Sequence, residues 1–136
     1  MAEEMTDSTP TLKSYNSIEE ILLDKDLASL GDSYVNFVYS LAMSKKCGRP
    51  TGAKVNNRIL ATAVDASGLR KFLPRRVDRH NRGNAAEALL VLAWLQDLLE
   101  MEDCIKVLTE KEDVAKAFAT LLRQVMNKLG VNHEHK

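Results

Sequence analysis

Two acidic residues interrupt stretches of sequence that are otherwise mainly apolar. Glu87 lies in GNAAEALLVLAWLQDLL, residues 83–99, and Asp32 directly follows Gly31 in LASLGDSYVNFVYSLA. A buried carboxylate takes up a proton, pairs with a base or binds a cation, because an uncompensated buried charge is costly. Two such carboxylates on two packed helices therefore predict a site for a divalent metal ion, which prefers oxygen ligands.

Each acid also has an explanation that involves no metal. Asp32 could form a salt bridge with an arginine of the central region, and Glu87 could favour the positive end of its own helix. The histidines are weaker candidates. His80 is expected to lie in a loop without a partner, and the HEH sequence at His133–His135 follows Gly130 on a terminal tail. We therefore expect no chemical role for His80 and no metal at the tail.

The middle of the chain is strongly basic, although the whole chain has a formal net charge of zero. Residues 33–82 carry 11 basic and 2 acidic side chains, whereas the segments on either side are acidic. Six of these cations lie in GLRKFLPRRVDRHNRGN, residues 68–84. This basic stretch suits the phosphates and 2′-hydroxyls of A-form RNA, but it could also be a solvated loop. The low aromatic content, 5%, argues against a platform that stacks single-stranded bases. The candidate RNA-binding residues are Lys54, Arg58, Arg75, Arg76, Arg79 and Arg82.

Apolar residues at helical spacing predict an all-α fold, a single-domain helical bundle of about five or six helices around the helix of residues 84–99. SIEE at residues 17–20 and TEKE at residues 109–112 have the form of capping boxes, and each predicts the start of a helix. Gly68 is expected to end a helix of residues 53–68, and Trp94 is expected in the core. The predicted domain spans residues 13–130, between a disordered tail of residues 1–12 and a C-terminal tail of residues 131–136.

The sequence also indicates a compartment. The longest apolar run, Ala88 to Leu95, is far shorter than the roughly 20 residues of a membrane span, and the N-terminus lacks the pattern of a signal peptide. Cys47 and Cys104 are far apart and form no CxxC pair. These features predict a cytoplasmic protein without a membrane partner.

Three segments resemble the catalytic domain of the ribonuclease III family. LASLGDSYVNF is similar to the family signature E-x-x-E-F-L-G-D through Leu30, Gly31, Asp32 and Phe37. NAAEALLVLAWL is similar to the motif D-x-F-E-A-x-x-G-A through Glu87 and the apolar residues that follow it. KVNNRILATAVDASGL is similar to the intervening family segment L-V-N-x-x-x-L-A-x-x-A-x-x-x-G-L. The three occur in the family's order over residues 20–100.

The resemblance is incomplete at three positions. The two glutamates of the first signature align with Lys25 and Ala28, and the aspartate of the second motif aligns with Asn84. Mini-ribonuclease III enzymes have a similarly reduced set of carboxylates, and an archaeal ribonuclease III-like group of similar length is an equally good match. Like the reduced enzymes, the chain shows no double-stranded-RNA-binding domain after the catalytic one.

The resemblance implies a function. Asp32 and Glu87 would be the catalytic residues and, with the amide oxygen of Asn84, would hold Mg²⁺ or Mn²⁺. The protein would be an endoribonuclease that cleaves structured double-stranded RNA during RNA processing, by attack of metal-activated water on a phosphodiester. It would form a homodimer through the helix that bears the Gly-Asp pair, and it would need no small-molecule cofactor beyond the metal.

Two alternatives remain open. The reduced set of carboxylates is also consistent with a weakened or inactive ribonuclease III-like scaffold that binds RNA or associates with the ribosome. An unrelated helical interaction protein would instead use both acids in salt bridges.

Overall fold

The structure, a computed structural model, describes residues 14–131, which fold entirely into helices, turns and loops. The α-helices are α1 Ile18–Leu22, α2 Lys25–Cys47, α3 Asn57–Ser67, α4 Arg79–Leu95, α5 Met101–Glu110 and α6 Val114–Lys128, with a 3-10 helix at Leu69–Phe72. The predicted all-α bundle is confirmed. The predicted N-terminal tail and His133–His135 lie outside the described residues. No helix within residues 14–131 is long and apolar enough to cross a membrane.

Helix α4 forms the centre of the bundle, as predicted, but its bounds differ from the prediction. It begins at Arg79, because the side chain of Asp78 caps it by accepting a hydrogen bond from the Asn81 backbone N–H at 2.8 Å. It ends at Leu95 rather than at residue 99. Glu87 therefore lies more than two turns from the N-terminus of the helix. At that distance the helix dipole has little effect on a carboxylate. The dipole explanation for this acid is wrong.

The contact between α2 and α4 is backbone against backbone. A Cβ atom added to Gly31 would overlap the backbone carbonyl of Glu87, so only glycine permits this approach of the two helices. Asp32 follows Gly31, and its side chain consequently lies beside Glu87. The glycine that weakens α2 locally is thus what brings the two acids together.

The two predicted capping boxes have different outcomes. Ser17 caps α1 as predicted, since its Oγ accepts from the Glu20 backbone N–H at 3.3 Å. The second prediction is wrong. Thr109 lies in the last turn of α5, where its Oγ1 donates to the Ile105 carbonyl at 2.6 Å. Helix α6 is capped instead by Asp113, whose carboxylate accepts from a backbone N–H three residues later.

Helix α3 is shorter than predicted at its start. It begins at Asn57 with Asn56 as its cap, and Gly68 ends it in a left-handed conformation, φ 89°, as predicted. The residues before the cap form an extended segment that is fixed to α2. Ser40 Oγ both donates to the Ala53 carbonyl at 2.9 Å and accepts from its N–H at 2.8 Å. Residues 53–56 are therefore held beside α2 without being helical.

Trp94 is not in the core, contrary to the prediction. It is 40% exposed and stacks on Tyr34 of α2, with ring centroids 5.3 Å apart. Helix α4 is buried along most of its length, but Trp94 lies near its end, where the covering helices leave one side open.

Candidate functional site

The carboxyl groups of Asp32 and Glu87 are within hydrogen-bonding reach of each other. Glu87 is only 5% exposed, whereas Asp32 is open to solvent. Burial, the hydrogen bond with Asp32 and the negative charge of Asp32 together raise the pKa of Glu87 to about 8, while the nearby Lys54 opposes the shift. A protonated Glu87 can share its proton with Asp32, which is how two close carboxyl groups avoid repulsion in the absence of a cation.

Within residues 14–131, neither acid forms a salt bridge of the kind that the non-metal explanation required. Instead, Asp32 is oriented by a neighbour on its own helix. Asn36 Nδ2 donates to Asp32 Oδ1 at 3.1 Å, and Asn36 Oδ1 accepts from the Val55 backbone N–H at 2.8 Å. Asn36 therefore ties Asp32 to the extended segment that carries Lys54. Asn36 was not among the predicted site residues, although its i+4 spacing from Asp32 was a usable signal.

The two acids lie at the wall of an open cavity of about 660 Å³ between α2, α4 and the start of α3. We call it the central cavity. Apart from Val55 and Ala28, its lining is polar or charged. It is lined by Lys25, Ala28, Ser29, Asp32, Lys54, Val55, Asn56, Asn57, His80, Asn84 and Glu87. Three predicted metal ligands thus share one cavity.

Asn84 lies one turn before Glu87 on α4, so its amide projects from the same side of the helix. Its Nδ2 donates to Asn81 Oδ1 at 3.4 Å, which leaves the oxygen Oδ1 for the cavity. No cluster of three or more His, Cys, Asp or Glu side chains in residues 14–131 could hold a metal ion. The residues fit a cation through two carboxylates and one amide oxygen, a donor set of the hard type that Mg²⁺ accepts.

Two further cavities adjoin the central cavity, and each brings arginine side chains. One, of about 250 Å³, is lined by Arg76 and shares Lys25 and Asn84 with the central cavity. The other, of about 530 Å³, is lined by Arg58 and Arg79. It shares Asn56, Asn57 and His80 with the central cavity. We call the three together the polar groove. The acids line the central cavity, and arginines line the two cavities that adjoin it.

The remaining predicted cations are placed differently. Arg75 is exposed in the loop before α4. Arg82 is partly buried: its Nη1 donates to the Val77 carbonyl at 3.0 Å, and its Nε lies 3.5 Å from Asp65 Oδ1 on α3. Arg82 therefore joins α4 to α3. The basic stretch of residues 68–84 is also not a loop throughout, since α4 begins within it at Arg79.

The chain matches a known protein family. The family model described as Ribonuclease III matches residues 25–131, a range that includes α2 to α6 and every residue of the central cavity. No curated protein matches the chain significantly.

Proposed function

The chain belongs to the ribonuclease III family, and on that premise we propose that it is a divalent-metal-dependent endoribonuclease that cleaves structured double-stranded RNA. One observation carries the proposal. Asp32 and Glu87 contact each other in a central cavity that adjoins two cavities lined by arginines. Cations in the two adjoining cavities would hold a phosphodiester backbone near the acidic pair.

The proposed metal ligands are Asp32, Glu87 and the amide oxygen of Asn84. When bound there, Mg²⁺ or Mn²⁺ supplies Lewis-acid stabilisation of the charge that develops on the phosphate, together with a more acidic water. The protein residues fix the geometry. Gly31 sets the distance between the helices, and Asn36 orients the Asp32 carboxylate, in the manner of the outer hydrogen bonds that hold metal ligands in place.

Groups in the polar groove provide the proposed contacts with RNA. Arg76 lines one adjoining cavity, Arg58 and Arg79 line the other, and Lys54 lies near Glu87. Arginine and lysine bind phosphates without reading sequence, as an enzyme acting on duplex RNA requires. Arg75 extends this surface from the neighbouring loop, whereas Arg82 supports it by fixing the first turns of α4.

We propose a homodimer through an apolar patch on the helix that carries Asp32. Leu30, Tyr34 and Phe37 follow one face of α2, and Trp94 of α4 stacks on Tyr34. Phe37 is 54% exposed, Leu30 38% and Trp94 40%, which is costly for a monomer in water. A second copy of the chain is the proposed occupant, because family resemblance assigns dimerisation to this helix.

A weakened RNA-binding scaffold is the second candidate, and a specific observation favours it. Lys25, Ala28 and Asn84 line the central cavity at the three positions where the family motifs have carboxylates. Two carboxylates and an amide bind a divalent cation more weakly than a site with further carboxylates. If the protein is an enzyme, we therefore expect slow activity that needs a high metal concentration.

Cleavage of a labelled RNA duplex in Mg²⁺ or Mn²⁺ tests the proposal. Glu87→Gln and Asp32→Asn should each lower the cleavage rate by more than the roughly 10–100-fold loss that is typical of supporting residues around a metal. Glu112→Gln, which removes an exposed carboxylate outside the groove, is the matched control and should cleave like wild type.

Binding of the same duplex separates the two candidates. Wild-type protein that binds the duplex but cleaves no RNA in either metal would support the scaffold. Cleavage that survives both substitutions would contradict the proposed site, and an absence of binding would contradict both candidates.

A further inference from the structure

His80 was expected to lie in a loop without a partner, and this expectation is wrong. It is the second residue of α4 and lines both the central cavity and the cavity of Arg58 and Arg79. Its Nδ1 is 3.4 Å from Nδ2 of Asn57, the first residue of α3. His80 is thus an exposed imidazole whose orientation is set by a second helix.

Gly83 leaves room for the side chain of Asn57. A Cβ atom on Gly83 would lie 2.9 Å from Asn57 Oδ1 and 3.5 Å from its Cγ. Glycine weakens the interior of a helix, so its presence here is explained by the space that the Asn57 amide needs. The amide lies between Gly83 and the ring of His80, and it contacts the ring at Nδ1.

The distance along α4 limits what His80 can do. His80, Asn84 and Glu87 are spaced i, i+4 and i+7 and lie on one face of the helix. Seven residues at 1.5 Å each separate His80 from Glu87 by roughly 10 Å along the axis. This is too far for proton transfer to an oxygen at the acidic pair. It is suited to a contact with a neighbouring nucleotide of the same strand.

The chemistry of the ring indicates the group it contacts. When the Asn57 amide donates to Nδ1, the proton of the neutral imidazole is on Nε2, which becomes a donor. Arg58 and Arg79 line the same cavity as His80, together with the amides of Asn56 and Asn57, so cations for phosphates are already present beside the ring. An uncharged N–H donor beside phosphate-binding arginines suits a neighbouring hydroxyl group. On a nucleic-acid backbone, that group is the ribose 2′-hydroxyl.

We propose that His80, positioned by Asn57, donates from Nε2 to the 2′-hydroxyl of a nucleotide flanking the phosphodiester at Asp32 and Glu87, and so favours RNA over DNA at that position. The inference rests on the proposed binding of RNA in the groove. It does not depend on cleavage.

Duplex binding without turnover tests this contact. RNA duplexes that each carry one 2′-deoxy nucleotide are titrated with full-length protein in EDTA, and affinity is measured by fluorescence anisotropy. For wild type, one deoxy position should weaken binding about fivefold, the effect of one neutral hydrogen bond. His80→Ala and Asn57→Ala should bind the all-RNA duplex about fivefold more weakly and show no further loss at that position.

Arg76→Ala is the control, because Arg76 lines the adjoining cavity that does not contain His80. It should weaken binding to every duplex and keep the deoxy effect of wild type. Thermal melts establish that each variant is folded. A deoxy effect of unchanged size in His80→Ala, or no deoxy effect in wild type that binds RNA, would overturn the inference. Failure of wild type to bind any RNA duplex would instead overturn the proposed function.

Discussion

At the scale of single residues, the charge of Glu87 is explained by its partner. The side chain is almost fully buried, yet one edge faces a polar cavity and the carboxyl of Asp32. A lone buried carboxylate would be costly, and a buried salt bridge would require a cation in contact. The structure provides a second acid instead, an arrangement that is unfavourable without a bound cation or a shared proton.

The stability of the metal-free protein should therefore fall as pH rises. The unfolded chain ionises Glu87 near its ordinary pKa of 4.5, whereas the folded chain holds the proton until about pH 8. Between these pH values Glu87 must take up a proton when the chain folds. The free energy of unfolding therefore decreases as pH rises. At pH 8, Glu87→Gln should be more stable than wild type by roughly 1–2 kcal/mol, a difference limited by solvent screening in the open cavity. At pH 4.5 the difference should vanish.

Thermal melts at both pH values measure this effect, with Glu112→Gln as the control for loss of an exposed charge. Added Mn²⁺ should stabilise wild type but not Glu87→Gln, since a ligand stabilises only the state that binds it. A variant that is less stable than wild type at pH 8, and that Mn²⁺ still stabilises, would contradict a shared metal site.

At the scale of elements, the site depends on how closely α2 and α4 approach. Gly31 of α2 allows that helix to contact the backbone of α4. Gly83 of α4 leaves room for the side chain of Asn57 of α3. These two glycines differ in what surrounds them. The neighbour of Gly31 is a backbone carbonyl deep between two helices, whereas the neighbour of Gly83 is the end of an exposed side chain.

Gly31→Ala should consequently be destabilising. The new methyl group can be accommodated only if the helices separate, and we expect a loss of roughly 2–3 kcal/mol despite alanine's higher helix propensity. The matched control is Gly83→Ala, where Asn57 can rotate away, and its stability should stay within about 1 kcal/mol of wild type. Urea unfolding measures both. Equal stability of Gly31→Ala and wild type would show that the close approach of α2 and α4 is not required.

At the scale of the whole molecule, two surfaces have different character. The polar groove contains the acidic pair in its central cavity and arginines in the two adjoining cavities. The apolar patch of Leu30, Tyr34, Phe37 and Trp94 lies along α2 and the end of α4. Pairing of two copies through this patch would give one assembly two grooves, as cleavage of both strands of a duplex requires.

The oligomeric state tests this assembly. By light scattering at micromolar concentration, wild type should have a mass near twice the 15.2 kDa of the chain. Phe37→Glu should shift it to the monomer, because a charge in an apolar interface has no partner. Leu23→Glu is the control, since Leu23 is equally exposed, at 55%, but lies outside the patch. A monomeric wild type, or a Phe37→Glu variant that stays dimeric, would refute the proposed interface.

Much of this organisation could be predicted from local sequence. Helical periodicity is a property of neighbouring residues, so the all-α fold and the central position of α4 followed from it. The stop at Gly68 could be predicted for the same reason, since a left-handed residue at a helix end favours glycine. Asp32 and Glu87 could be identified because a charged residue is unusual within an apolar segment that is predicted to be helical.

Other features depended on packing between elements that are distant in sequence. That Asp32 and Glu87 touch follows from the fit of Gly31 against the α4 backbone, and the orientation of His80 follows from Asn57, 23 residues earlier. The local sequence around Arg82 is as basic as that around the other arginines. Arg82 nevertheless pairs with Asp65 on α3 and does not line the groove. Local sequence determines which helices form and which residues are unusual. Only the packed helices determine which of those residues meet, because contacts across a bundle depend on side-chain volume and on the angle at which helices cross.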